Sequence, residues 1–184
     1  MIKKLAVITA VAAAAVLAPV ASAFASSGSS NPYAGQTSWS QVAPHGLQGQ
    51  QVSIPLNSTQ RLYALEIVQA SYDKGLPPYA AVIALSTALQ ESKLKNYTSA
   101  DDYDSLGIFQ QRPSCGWGTK AEIENPAYAA KSFLSALQQT DYTKMSDTSA
   151  AQTVQHSAYG GRYAQWQGEA AQIVSQISNG EFSV

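Results

Sequence analysis

Apolar positions along this chain fall into helical stripes around one run that is apolar on nearly every face. Between Thr59 and Lys74, Leu62, Leu65, Val68 and Tyr72 recur at helical spacing. Asn57 and Ser58 stand before them as N-caps and Gly75 follows as a stop, so the pattern predicts a helix with one buried face. After the short connection "GLPPY", Pro78 suits a first helical turn, where its missing N–H costs nothing. From Tyr79 to Ser92 almost every position is apolar: Ala80, Ala81, Val82, Ile83, Ala84, Leu85, Ala88, Leu89. A helix apolar all round and too short to span a bilayer predicts a central core element.

Residues 93–119 lose this periodicity and read as loop, with one short strand or turn at Ser105–Gln110. Asn125–Pro126 pairs a cap with an N1 proline and opens a third helix carrying Ala127, Ala130, Leu134 and Leu137 on one face. Asp147 or Thr148 caps a fourth over Ser149–Ser157, with Ala150, Ala151 and Val154 inward, and Gly160–Gly161 breaks it. A fifth runs from Arg162 to Ile177 with Tyr163, Trp166, Ala170, Ile173 and Ile177 as its apolar positions. There is no internal repeat, and the expected class is all-α or nearly so.

The N-terminal third reads differently. Residues 1–23 combine a basic start (Lys3, Lys4), an alanine-rich apolar stretch from Leu5 to Val20 and the small residues Ala21–Ser22–Ala23, the make-up of a secretory signal peptide. The expectation is an exported protein with no stable membrane insertion once the signal is removed. Residues 24–55 are rich in Ser, Gly, Gln and Pro without a period, which predicts a flexible linker. Residues 56–184 are left as a single domain with room for one core.

Composition narrows the function classes. Charged residues make up 12% of the chain and the formal net charge is -1, with no basic cluster, so nothing points to nucleic acid. The lone Cys115 cannot form an internal disulfide. Two distant histidines and one cysteine do not make a zinc site, so neither a metal nor a cofactor is expected. Nothing in the pattern fixes an oligomeric state.

Chemistry concentrates in "STALQESKLKNYTSADDYDSLGIFQQRPSCGWG", residues 86–118. Glu91 ends the apolar helix, where the negative end of the helix dipole and apolar neighbours both raise a carboxyl pKa. A carboxylic acid that keeps its proton is what glycosidic cleavage needs at the leaving oxygen. The plainer reading of Glu91 is a partly exposed glutamate at a fraying helix end. Gly107 allows an unusual φ or a close backbone approach. Ile108 and Phe109 anchor the segment. Gln110 and Gln111 supply amides suited to sugar hydroxyls and acetamido groups, or are incidental to a surface turn.

Taken in order, Glu91–Ser92, Gly107–Ile108–Phe109–Gln110, Asn125–Pro126 at a helix start and Ala158–Tyr159–Gly160 resemble the soluble lytic transglycosylase and goose-type lysozyme family. "ALQES", "DSLGIFQQRPS" and "GWGT" resemble more particularly a group of exported lysozyme-like proteins of actinobacteria. The resemblance spans about residues 57–177. It implies a lysozyme-like fold acting on peptidoglycan glycan strands at the N-acetylmuramic acid–N-acetylglucosamine bond, with Glu91 as general acid and base. It also implies Ser92 in contact with substrate, Gln110 and the backbone of Gly107 to Phe109 lining the groove, and Tyr159 orienting Glu91. Phe109 stands where the family has Met, and Gly160 where it has Asn.

A second carboxylate is an open point. Asp101, Asp102 and Asp104 precede the glycine segment. Asp104 is the candidate to hold a water or stabilise an oxocarbenium ion, or these acids simply cap and solvate a loop. The family's transglycosylases need no second acid, because the substrate's own groups serve. Two other readings stand beside the enzyme. A non-catalytic cell-wall-binding protein on the same fold would keep the groove and lose turnover. A cysteine peptidase would pair Cys115 in "SCGWG" with His156, which requires Cys115 to open a helix or face a cationic group, whereas it sits in a loop between Pro113 and Gly116.

Overall fold

The computed structural model describes residues 38–100, 103–156 and 160–184. Of the described residues 60% are helical, and none of them forms a sheet. The helices are α1 (Trp39–Val42), α2 (Ser58–Asp73), α3 (Pro78–Ser92), α4 (Lys120–Ile123), α5 (Pro126–Leu137), α6 (Asp147–Gln155) and α7 (Gln167–Asn179). The all-α expectation therefore holds. The predicted signal segment lies outside the described residues. No described helix is long and apolar enough to cross a membrane.

Caps explain the boundaries. The Asn57 side chain accepts from Gln60 N while the Gln60 side chain accepts from Asn57 N, a reciprocal capping box at the start of α2. Asn125 Oδ1 accepts from the amides of Ala127 and Tyr128, with Pro126 at the first position of α5. Helix α6 begins earlier than its periodicity predicted. Ser146 is its cap, accepting from Ser149 N. Asp147, expected as a cap, is instead 2% exposed and turned inward. The fifth predicted helix is two elements, a 3₁₀ stretch Gly160–Trp166 and then α7.

Helix α3 is the axis of the fold. Every residue from Tyr79 to Leu89 is buried, and α2, α5, α6, α7 and the 3₁₀ stretch all pack on it. A fully buried Leu, Ile or Val contributes about 1.5–3 kcal/mol, so α3 is the element least able to move. Even its polar residues are satisfied within the core. Thr87 Oγ1 donates to Ile83 O at 2.7 Å, and Ser86 Oγ lies 2.8 and 3.0 Å from the Asp147 carboxyl oxygens.

The expected linker is corrected over its second half. Val42 and Ala43 are buried against the domain. Val52 N donates to Gln165 O, and the Gln51 side chain donates to Ala164 O and accepts from Gly168 N. His45 Nε2 is hydrogen-bonded to Thr143 O. Val42 joins the core and Val52 and Ile54 pack against it, and these few contacts together with the hydrogen bonds of Gln51 and His45 anchor a segment whose average composition gives no sign of packing.

Candidate functional site

The site forms where the buried helix stops. Lys93 and Leu94 both take left-handed backbone conformations, φ 57° and 58°. Lys93 N donates to Leu89 O and Leu94 N to Ala88 O, which closes the last turn of α3. Lys93 Nζ folds back to Leu89 O at 3.0 Å and lies 4.4 Å from the centre of the Trp166 ring. A cation is thus fixed at the negative end of the helix.

Glu91 is in this last turn, half-buried. Tyr163 Oη donates to its Oε1 at 2.7 Å. Burial raises the pKa of Glu91 above the ordinary glutamate value; the Tyr163 hydrogen bond and the Lys93 charge pull it back only in part. The same burial, opposed by the charge of Glu91, lowers the pKa of Lys93. A carboxyl group with one oxygen engaged by a hydroxyl, and with its charged form disfavoured, is suited to hold and deliver a proton.

The 3₁₀ stretch Gly160–Trp166 holds this arrangement from the other side. Beside the Tyr163 contact, Gln165 Nε2 and Trp166 Nε1 both donate to Gln90 Oε1, at 2.8 and 3.0 Å. Tyr163 was expected only as an apolar helix position. Its ring is indeed buried, and the hydroxyl alone reaches the carboxyl. Tyr159, the tyrosine expected to orient Glu91, lies outside the described residues, as do Asp101 and Asp102.

The glycine segment is a tight hairpin. Leu106 and Gln111 exchange both backbone hydrogen bonds at 2.9 Å, and Gly107 N donates to Tyr97 O. Gly107 has φ 73°, and a Cβ there would lie 2.5 Å from the Ile123 carbonyl oxygen. Both expected reasons for a glycine therefore apply. Gln110 closes the turn at φ 50° with its Nε2 donating to Gly107 O, and it remains partly exposed.

Several residues expected to touch substrate have other duties. Ser92 is 4% exposed, and its hydroxyl lies 2.7 Å from Ile108 O and 3.1 Å from Ala88 O. It ties the hairpin to the end of α3 rather than facing a ligand. Phe109 is buried and stacked on Phe133, ring centres 4.9 Å apart, so only its backbone can border a groove. The Phe109 carbonyl is itself taken by Gln155 Nε2 at 2.8 Å, a residue for which the sequence offered no signal. Gln111 is 1% exposed and its amide donates to Ala129 O. It is a core residue, and the expectation of a sugar-facing amide is corrected to Gln110 alone.

Asp104 is occupied as well. Its Oδ1 accepts from Arg112 Nε at 2.6 Å and from Ser114 Oγ at 2.9 Å, and its Oδ2 from Ser114 N at 2.8 Å. The Arg112 hydrogen bond first, then the Ser114 amide, hold its pKa down at about 2. Asp104 is a locked carboxylate that organises the loop. That is the plainer of its two readings, and among the described residues it leaves Glu91 as the acid of the site. Cys115 lies exposed on the short 3₁₀ turn Pro113–Cys115. His156 ends α6 at φ 51°, and no hydrogen bond joins it to Cys115, so the peptidase pairing has no support in the geometry.

A separate cleft of about 530 Å³ lies between the 48–50 segment, the start of α6 and the far side of the 3₁₀ stretch, with Arg162 and Gln165 in its wall. Glu91 does not line it. No family model matches this chain, and no curated protein sequence matches it.

Proposed function

We propose that this domain is an exported enzyme that cuts the glycan strands of peptidoglycan at the N-acetylmuramic acid–N-acetylglucosamine bond. The observation that carries the reading is Glu91. It is a half-buried carboxyl group with a raised pKa, ending a rigid helix and held on one oxygen by Tyr163 Oη.

The chemistry follows from that environment. With Oε1 accepting from Tyr163, Oε2 is the oxygen that carries the acid proton. Glu91 passes this proton to the glycosidic oxygen as the bond to the muramic acid C1 breaks. The carboxylate left behind is stabilised by the Tyr163 hydrogen bond and by the charge of Lys93, the two influences that favour its ionised form. It then serves as base. Removing a proton from the substrate's own C6 hydroxyl yields an anhydro sugar, and removing one from water yields a reducing end. Asp104, paired with Arg112 and Ser114, supports a scheme with one protein carboxylate and an oxocarbenium ion stabilised by the substrate itself. The backbone of the 107–110 turn and the Gln110 amide border the glycan.

Incubating the secreted domain with purified peptidoglycan and weighing the soluble products tests this. Released muropeptides that disappear with Glu91→Gln are expected, and anhydro or reducing ends separate the two outcomes. Binding to walls without release would overturn the enzyme and favour a wall-binding protein on the same fold. Release that persists in Glu91→Gln would remove Glu91 as the acid.

A further inference from the structure

The loop entering the hairpin carries a feature that neither packing nor the acid chemistry uses. Tyr103 is 80% exposed and holds φ 52°, a conformation costly for a bulky non-glycine residue. One face of the ring rests on Arg112, whose guanidinium carbon lies 4.7 Å from the ring centre. Arg112 is itself fixed by its bond to Asp104, and Asp104 by the amide and hydroxyl of Ser114. The ring is therefore backed by an immobilised plane and open on the opposite side.

We infer that Tyr103, seated on the Arg112–Asp104 pair, is a stacking platform for a pyranose ring of a glycan strand. The inference rests on the glycan reading above and extends it by assigning a binding residue. A pyranose presents an apolar C–H face and a polar rim. An aromatic ring meets the face, and the guanidinium behind the ring, itself held by Asp104, keeps that ring in place. Tyrosine gives this contact at low entropic cost because few torsions are frozen, and a ring already backed by Arg112 loses still less on binding. The platform is three residues before Leu106, in the loop that Ser92 fastens to the Glu91 helix through Ile108 O. Asp104 thereby gains a role other than second acid: it holds the support under the ring.

The test compares wild type, Tyr103→Ala, Tyr103→Trp and Arg112→Gln for binding to soluble N-acetylglucosamine pentamer and to purified peptidoglycan. Thermal melts show that each variant is folded. Tyr103→Ala should weaken binding by about five- to tenfold, the range of one lost aromatic contact. Tyr103→Trp should preserve it, and Arg112→Gln should fall between. Wild-type affinity in Tyr103→Ala, with wild type binding both probes, would overturn the platform and leave the cleavage reading standing. A wild-type protein that binds neither probe would overturn both.

Discussion

Two carboxyl groups lie against helix α3 within two turns of each other, and they differ in what surrounds them. Asp147 meets the helix at Ser86, deep in the core. Glu91 belongs to its last turn, where the core gives way to solvent. Burial raises both pKa values, that of Asp147 to about 8. Both are paired with one hydroxyl, Ser86 or Tyr163. Only Glu91 has a cation at hand, Lys93, and only Glu91 is partly open. A protonated Asp147 completes a closed chain, its O–H donating to Ser86 Oγ and the Ser86 hydroxyl to Ile83 O, 3.0 Å away. Its proton is structural and unreachable. The Glu91 proton lies at an opening, with a hydroxyl and an ammonium ready to stabilise the charge left behind. A raised pKa alone does not mark a functional acid; access and a stabilised conjugate base do.

The largest way to separate the two acids is substitution by the matching amide. Glu91→Gln keeps the size of the side chain and its acceptor for Tyr163 but cannot supply a proton. It should lower muropeptide release by at least about 10²- to 10⁴-fold while leaving the urea midpoint nearly unchanged. Asp147→Asn should show the opposite profile, with turnover near wild type and an altered dependence of stability on pH. In the wild type the unfolded state ionises Asp147 near pH 3.8, ordinary for an aspartate, whereas burial in the folded state holds the proton until about pH 8. Folding therefore loses stability as pH rises through that window, on the order of a few kcal/mol, and Asp147→Asn should flatten the slope. Urea unfolding at several pH values between 4 and 9 checks this, and equal slopes would contradict a buried neutral Asp147.

Asp104 should give the smallest effect. It is a half-exposed carboxylate already held ionised by Arg112 and Ser114, so Asp104→Asn should reduce turnover by no more than about threefold, through a looser loop. A loss as large as that of Glu91→Gln, seen in the same product assay, would restore Asp104 as a second catalytic acid.

The Glu91 side of this contrast was legible in the sequence and the Asp147 side was not, for identifiable reasons. The all-round apolar character of residues 79–89 dictated a central helix, and Asn57, Asn125 and Pro126 marked starts through backbone chemistry that is purely local. Glu91 stood out because a helix so apolar had to end on something polar. What failed to show depended on contacts between distant segments. Tyr163 fits an apolar stripe, and only the fold reveals that its hydroxyl meets residue 91. Gln110 and Gln111 are adjacent and chemically identical, yet the hairpin pairing sends Gln111 inward and leaves Gln110 at the turn. Asp147 resembled a cap because Asp favours that position, but Ser146 took it and left Asp147 to Ser86. Residues 42–55 carry too few apolar groups to signal packing, and their anchorage comes from individual bonds such as those of Gln51.

The most direct measurement of the central claim is a ¹³C NMR titration of the Glu91 side-chain carboxyl in the intact domain, with Tyr163→Phe alongside. A midpoint above that of an ordinary glutamate is expected, with a further rise in Tyr163→Phe, because the lost hydrogen bond favours the ionised form. A wild-type midpoint at or below the ordinary value would contradict the claim, since Glu91 would then have no proton to give.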